Sequence, residues 1–148
     1  MKANERAPVF AAGEIDVAAD PETIWDVLAG IEGWPSWNPE ISEAVLEGDL
    51  AEGTRLRWKA GRTTITSTLR RIERPRVIGW TGRTMTIDAI HVWMIEGRDG
   101  GSVLRTEESW EGLLARLLRG TFQKIVQKAI EGGLRMVKAE AERRAGRR

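Results

Sequence analysis

The sequence contains no cysteine and no tyrosine, and its 148 residues include one histidine and two phenylalanines. Without cysteine the chain has no disulfide, no thiolate nucleophile and none of the usual cysteine-containing zinc sites. A single imidazole without thiolates also argues against a transition-metal site, because such sites combine several of these ligands. We therefore expect no bound metal.

Long apolar runs, an excess of one charge and phosphate-binding glycine motifs are also missing. No stretch reaches the roughly 18 consecutive apolar residues of a membrane span, and residues 1–14 lack the apolar segment of a signal peptide. The formal net charge is +1, too small to steer nucleic acid toward the whole surface. Neither G-x-x-x-x-G-K-[ST] nor G-x-G-x-x-G occurs. These absences predict a cytoplasmic protein with no membrane span, no nucleic-acid partner and no cofactor.

Tryptophan is the residue in excess, with seven copies. A buried indole removes about 150–250 Å² from water, which corresponds to roughly 4–6 kcal/mol as an upper bound. The chain is 41% hydrophobic and 30% charged, a composition typical of one globular domain. The indoles should therefore dominate the interior. They predict either a solid core or a cage for a hydrophobic ligand, because flat rigid rings serve both purposes.

The first part of the chain predicts one strand and two short helices. Residues 1–12 follow no period and are predicted to form a flexible arm. Residues 14–19 alternate between apolar and other side chains, as a half-buried strand does. Asp20 and Pro21 then supply an N-cap and a proline at the first helical position. Residues 34–39 predict a second short helix or turn, whose two indoles fold inward as a lid.

Between residues 41 and 112, turn residues recur after runs rich in β-branched and aromatic side chains, which predicts six antiparallel strands. Trp58 lies on the apolar face of its predicted strand, and the opposite face of that strand is basic. In a later strand both faces are largely apolar, and we place the face of His91 inward. In the last strand, Trp110 indicates that its face of the strand points inward. Glu108 lies on the same face and is therefore also predicted to point inward.

The last part of the chain predicts one long helix lying across the sheet, because residues 113–143 contain no proline and carry an apolar stripe near the helical period. Gly132 and Gly133 cost this helix about 1 kcal/mol each relative to alanine, which indicates a bend or a need for space. Residues 143–148 are predicted to form a basic disordered tail. No repeat or linker marks a second domain, so residues 13–142 are predicted to form a single domain.

This order of elements, together with four segments, resembles the START-like superfamily, and specifically its polyketide cyclase/dehydrase-like SRPBCC group. The segments are EIDVAADPETIWDVLAGIEGWPSWNPEI, RIERPRVIGWTG, IHVWMIE and GGSVLRTEESWEG. The resemblance covers roughly residues 13–142. It implies an α+β helix-grip fold, in which a seven-stranded curved antiparallel sheet, with two short helices after strand 1, wraps around one long C-terminal helix.

The resemblance also implies a cavity, because members of this family hold a sterol, lipid, polyketide, hormone or other hydrophobic molecule between the sheet and the helix. Trp34 and Trp37 would lie near its entrance. The residues that would face the cavity are Trp58, Ser67, Trp80, His91, Trp93, Glu108, Trp110, Phe122 and Gly133. The matching segments are not specific for any one function within the family.

Three functions remain open from the sequence. The first is a carrier or sensor that binds a lipid, quinone, sterol or polyketide-like molecule as a monomer or homodimer. The second is a cofactor-independent cyclase or dehydratase that uses His91 and Glu108 as acid and base, although the simpler interpretation is that these two side chains satisfy each other or the backbone. The third is an interaction module that meets a protein, lipid surface or RNA through the basic face with Arg55, Arg57 and Lys59, a face that simple solvation also explains.

Overall fold

The structure, a computed structural model, describes residues 1–147. It contains seven strands, which wrap around a long C-terminal helix, together with three shorter α-helices and one 3₁₀ turn. In chain order the elements are β1 (Val9–Val17), α1 (Pro21–Ala29), a 3₁₀ turn (Ile31–Gly33), α2 (Trp34–Trp37), β2 (Ile41–Leu46), β3 (Arg55–Ala60), β4 (Thr63–Glu73), β5 (Val77–Thr84), β6 (Ile87–Arg98), β7 (Gly101–Glu111), α3 (Leu113–Leu117) and α4 (Arg119–Ala145).

The strands form one curved antiparallel sheet in the order β1-β7-β6-β5-β4-β3-β2. Each strand from β2 to β7 pairs with its neighbour in sequence, as short hairpin turns require, and β1 completes the sheet by pairing with β7. Helix α4 packs across β1 and β7 and against α1. The predicted helix-grip fold and the six strands after the short helices are confirmed.

Helix α1 begins where the sequence predicts it. The carboxylate of Asp20 accepts a hydrogen bond from the Thr23 backbone N–H at 2.8 Å, and Pro21 occupies the first helical position. Its apolar face, with Ile24, Trp25 and Leu28, is buried in the core. This anchored helix fixes where the chain enters the 3₁₀ turn and α2, which form part of the cavity wall.

The predicted flexible arm at residues 1–12 needs correction, because β1 begins at Val9 and the residues before it lie on the outer face of the sheet. The Ala3 N–H donates to Glu107 Oε1 and the Asn4 N–H donates to Ser109 Oγ, both at 2.9 Å. Met1 packs against Gly79. These partners are about a hundred residues away in sequence, and no local sequence pattern predicts such a contact. The arm also explains the second apolar face of β6.

The predicted single C-terminal helix is divided at Leu118, whose φ and ψ are −112° and 28°. The sequence has no proline there, so the break reflects packing: α3 contacts β6 and β7, whereas α4 crosses β1. The predicted disordered tail is wrong at Arg143 and Arg144, since α4 continues to Ala145. Position 148 lies outside the described residues.

Glu140 stabilises the C-terminal end of α4. We predict that its contribution to the free energy of unfolding is lost in acid. Its buried carboxylate accepts hydrogen bonds from Arg143 Nε at 2.9 Å and Arg144 Nε at 2.7 Å. These arginines, Arg143 first, lower the pKa of Glu140 from 4.5 to about 2, although burial opposes the shift. Because the pKa of Glu140 is lower in the folded protein than in the unfolded chain, its ionised carboxylate stabilises the fold. This stabilisation is complete above pH 4.5 and is lost as the pH falls toward 2.

Glu140→Gln should therefore lower the free energy of unfolding by about 1–2 kcal/mol at neutral pH, after solvent screening of the arginines is allowed for. Urea unfolding at neutral and acid pH measures the difference, which should shrink as the acid limit is approached. Glu131→Gln, on an exposed position of the same helix, is the control and should change stability by less than about 0.5 kcal/mol. A pH-independent loss in Glu140→Gln would contradict the assignment.

Candidate functional site

A cavity of about 540 Å³ lies between the inner face of the sheet and α4. Six of the seven tryptophans line it, and the seventh, Trp25, is buried in the core beside α1. All eleven residues selected from the sequence lie in the cavity wall: Trp34, Trp37, Trp58, Ser67, Trp80, His91, Trp93, Glu108, Trp110, Phe122 and Gly133. The interior is therefore not a solid core of interlocked indoles.

The sheet register creates a continuous aromatic wall. Trp80 on β5 lies opposite His91 on β6, with ring centroids 5.1 Å apart, and His91 lies 5.3 Å from Trp93. Trp34 reaches in from α2 and packs 5.4 Å from Trp80 and 6.0 Å from Trp58. Trp34 is buried, so it forms part of this inner wall and does not stand free at the entrance.

Hydrogen bonds hold several of these indoles in place. Trp34 Nε1 donates to the Leu28 carbonyl oxygen at 3.1 Å, and Trp58 Nε1 donates to Ser67 Oγ at 3.1 Å. Trp37 Nε1 is buried and has no hydrogen-bond acceptor among residues 1–147. Because the N–H groups of Trp34 and Trp58 are directed at the protein, these two rings present mainly apolar surface to the cavity.

His91 and Glu108 form the polar centre of the wall. They are directly paired residues on β6 and β7, and His91 Nδ1 lies 3.3 Å from Glu108 Oε1. The other carboxylate oxygen accepts a hydrogen bond from Trp110 Nε1 at 2.6 Å. The pair therefore occupies a fixed position in an otherwise largely apolar cavity.

Thr106 defines the protonation of the histidine ring. The Thr106 hydroxyl donates its one proton to the Val92 carbonyl oxygen at 2.9 Å, so its oxygen accepts from His91 Nε2, also at 2.9 Å. Nε2 must therefore carry a proton. Nδ1 is left facing Glu108 Oε1, which lies 3.3 Å away.

Burial lowers the pKa of His91 from its ordinary value of 6.5, and the nearby Glu108 opposes this shift more weakly. The unfolded chain consequently takes up a proton at this histidine before the folded protein does. His91 thus favours unfolding as the pH falls below 6.5. The same environment keeps the imidazole available as a proton acceptor.

We predict that Thr106→Val releases the fixed tautomer of His91, because valine removes the acceptor at Nε2 while keeping the side-chain shape. The ¹⁵N chemical shifts of the only histidine measure this directly. In the parent protein Nε2 should remain protonated at every pH, whereas the variant should gain signal from the Nδ1-protonated form. Thr81→Val, at a hydroxyl that instead accepts from Arg70, is the control. A parent ring with an unprotonated Nε2 would contradict the assignment.

The cavity opens at one end of the sheet. The β3–β4 turn, the β5–β6 turn and the end of β7 all lie at this end, as the strand register requires. Met85, at the tip of the β5–β6 turn, and Ile125 on α4 are both exposed and both line the cavity. We call this opening the cavity mouth.

Sequence reasoning missed much of the mouth and the apolar wall. Ile65, Ile87 and Ala89 follow the same alternation as the selected strand residues, so that pattern contained a usable signal for them. Met85 and Leu114 lie in a turn and in α3, where no period indicates which side chain borders a cavity. Both are lining residues.

The wall contains few groups for a charged cofactor. Within the part of the chain that the structure describes, no group of three or more histidine, aspartate and glutamate side chains is arranged to hold a metal ion. In the same 147 residues no helix combines the length and apolar character needed to cross a bilayer. The geometry instead suits a largely apolar guest with a small polar group.

Comparisons with solved structures support the same architecture. The di-domain ARO/CYC StfQ from the steffimycin biosynthetic pathway has a TM-score of 0.79 at 18% identity, over 93% of this chain and 52% of that one. A START superfamily protein from Mycobacterium smegmatis has a TM-score of 0.70 at 19% identity, over 93% and 97% of the two chains. The hypothetical protein jhp0584 from Helicobacter pylori has a TM-score of 0.77 at 14% identity, over 95% and 90%.

A sheet that grips a long helix around a cavity defines this protein as a START-like helix-grip domain. The family model described as "Polyketide cyclase / dehydrase and lipid transport" matches residues 11–142, nearly the whole chain. The chain belongs to that family. No curated protein matches the sequence.

Proposed function

We propose that this protein binds a small hydrophobic molecule in the cavity and acts as its carrier or sensor. The observation that carries the proposal is the space of about 540 Å³ lined by six indoles. That volume lies within the range of roughly 300–1,000 Å³ that small-molecule sites occupy. Lipids, quinones, sterols and polyketide-like molecules fit this chemistry. A cytoplasmic location and a monomeric or homodimeric state accompany the proposal as predictions.

The wall supports both affinity and orientation. Apolar surface of the guest gains about 25 cal/mol for each Å² removed from water, less the freedom lost on binding. Trp80 and Trp93 offer flat rings on either side of His91. The His91–Glu108 pair gives a hydroxyl or carbonyl group of the guest one fixed polar partner. We therefore expect preference for amphiphilic ligands with one polar end over pure hydrocarbons.

A thermal-shift screen tests the proposal with sterols, quinones, fatty acids and aromatic polyketides. A ligand present at about one hundred times its Kd adds about 2.7 kcal/mol of stability, which corresponds to roughly 5–10 °C for a domain of this size. We expect such a shift from at least one class. No shift from any class at saturating concentration would contradict the proposal.

The second candidate function is that of a cyclase or dehydratase, and the 3.3 Å contact between His91 Nδ1 and Glu108 Oε1 favours it. In an aldol cyclisation, the basic member of this pair would remove a proton from the carbon beside a substrate carbonyl. The resulting carbanion would form a carbon–carbon bond to a second carbonyl, whose oxygen would then receive a proton from the acidic member. Loss of water from that product would complete a dehydration.

Two variants separate the enzyme from the carrier. His91→Ala and Glu108→Gln should retain ligand binding, weakened by the loss of one polar contact, but abolish turnover if the pair performs the proton transfers. Product formation from a poly-β-ketone substrate, followed by mass spectrometry, is the measurement. A parent protein that binds the substrate without converting it supports the carrier, and turnover that survives in both variants excludes the proposed acid–base roles.

A further inference from the structure

Large apolar side chains are exposed on one side of the cavity mouth. Their exposed fractions are 85% for Met85, 68% for Leu113, 70% for Leu117, 44% for Leu118 and 50% for Ile125. We call these five residues the apolar rim. Elsewhere in residues 1–147, the other exposed large apolar side chain is Leu50, at 37%. Exposed apolar surface is therefore concentrated at the mouth, a distribution that marks an interaction site.

The rim forms one surface. Gly112, which precedes α3, packs against Thr86 in the β5–β6 turn, so the leucines of α3 begin beside Met85. Met85 has a φ of 50°, although it is not glycine, and this left-handed conformation costs roughly 1–2 kcal/mol. The backbone thus holds a large apolar side chain outward at the tip of the turn.

The segment at residues 112–130, which carries four of the five rim residues, has charge of one sign. Residues 112–130 contain no aspartate or glutamate. No ion pair within residues 1–147 involves any of the four cations of this stretch. Those cations, all exposed, are Arg116, Arg119, Lys124 and Lys128. The basic face of the sheet differs, because Arg55 and Arg57 both lie within ion-pair distance of Glu47.

We infer that the apolar rim and these four cations dock on the surface of an anionic phospholipid bilayer. Leucines flanked by lysine and arginine are typical of segments that lie in a membrane interface, where apolar side chains enter the acyl boundary and cations contact phosphate groups. Docking in this way places the cavity mouth against the bilayer. A hydrophobic guest then passes between membrane and cavity without crossing water. Only this last consequence rests on the proposed function.

Vesicle sedimentation tests the inference with phosphatidylcholine vesicles prepared with and without phosphatidylglycerol. The parent protein should bind the anionic vesicles and be released by high salt, because the attraction is screened. The double variant Arg116→Ser/Arg119→Ser should bind about 30-fold more weakly, since each cation near the surface contributes roughly a factor of five. Leu117→Ser/Leu118→Ser should weaken binding about tenfold or more, because both leucines lose their place in the interface.

Matched controls remove the same residue types elsewhere. Leu50→Ser and the double variant Arg55→Ser/Arg57→Ser should bind anionic vesicles as the parent does. Equal binding to both vesicle types, or no binding, overturns the inference. So does loss of binding in the Arg55→Ser/Arg57→Ser variant, which would assign the contact to the sheet. A dimer that Leu117→Ser/Leu118→Ser dissociates, without vesicle binding by the parent, would show that a second copy covers the rim.

The outcome is independent of the ligand screen. Vesicle binding without any thermal shift from free ligands would contradict the proposed function and leave the docking surface in place. Thermal shifts without vesicle binding would contradict the docking surface alone. Circular dichroism and melting temperature of every variant establish that the comparison is made between folded proteins.

Discussion

Gly112→Ala should destabilise the protein by about 4 kcal/mol or more, a loss large enough to leave much of it unfolded. Gly112 has a φ of 115°, in the region that favours glycine. A Cβ atom at this position would also overlap the backbone carbonyl oxygen of Thr86. The backbone fixes the positions of both the Cβ atom and the carbonyl oxygen, so a side-chain rotation cannot relieve the overlap. Urea unfolding measures the loss, and failure of the variant to fold is the same result in its extreme form.

Gly53→Ala separates the two causes. Gly53 also has a positive φ, of 93°, but an added Cβ would meet no atom within 4 Å. This control should lose only the conformational cost of roughly 1–2 kcal/mol. If Gly112→Ala lost no more than Gly53→Ala, the close contact between the end of β7 and the β5–β6 turn would be wrong. The structure of the cavity mouth would then be wrong as well.

Gly133→Phe should weaken ligand binding strongly while leaving the protein folded. Gly133 lines the cavity on α4, and an added Cβ would meet Trp93 at 3.4 Å, so a larger side chain must extend into the space of the guest. Inserting a side chain into a filled site costs typically 1–3 kcal/mol. Affinity for the best ligand of the thermal-shift screen should therefore fall about tenfold to a hundredfold. Isothermal titration calorimetry measures this change.

The neighbouring glycine provides the matched control for this change. Gly132 does not line the cavity, and an added Cβ there would meet only the end of Met136, at 3.9 Å. Gly132→Phe should bind the ligand as the parent does. Gly133→Ala should also bind, and it should stabilise the helix by up to about 1 kcal/mol. Undiminished affinity in Gly133→Phe would place the guest elsewhere.

Local patterns predicted most of the fold, because the elements that matter have strong local signals. Asp20 and Pro21 mark the start of α1, and turn residues mark each hairpin of the meander. Contacts between distant segments left no such signal. The attachment of Ala3 to Glu107 spans 104 residues, and the break at Leu118 depends on which strands α3 and α4 meet. The sequence therefore predicted the elements better than their ends.

The candidate site was predicted to a similar extent. Strand alternation placed Trp58, His91 and Trp110 on the inner face, and the register then set His91 opposite Glu108. The role of Thr106 needed coordinates, because a hydroxyl that orients an imidazole is one of many threonines in the sequence. The apolar rim was also beyond local reasoning, since the exposure of Leu117 follows from the packing of α3 and not from its period.

The proposed function depends most on where a hydrophobic guest binds, and the indole N–H signals of a ¹⁵N-labelled protein report that position. With the best ligand of the screen, the signals of Trp58, Trp80, Trp93 and Trp110 should shift, because these rings line the cavity. The signal of Trp25, buried in the core beyond the cavity wall, should stay in place. Stabilisation by a ligand that leaves all four cavity signals unmoved would contradict binding between the sheet and α4.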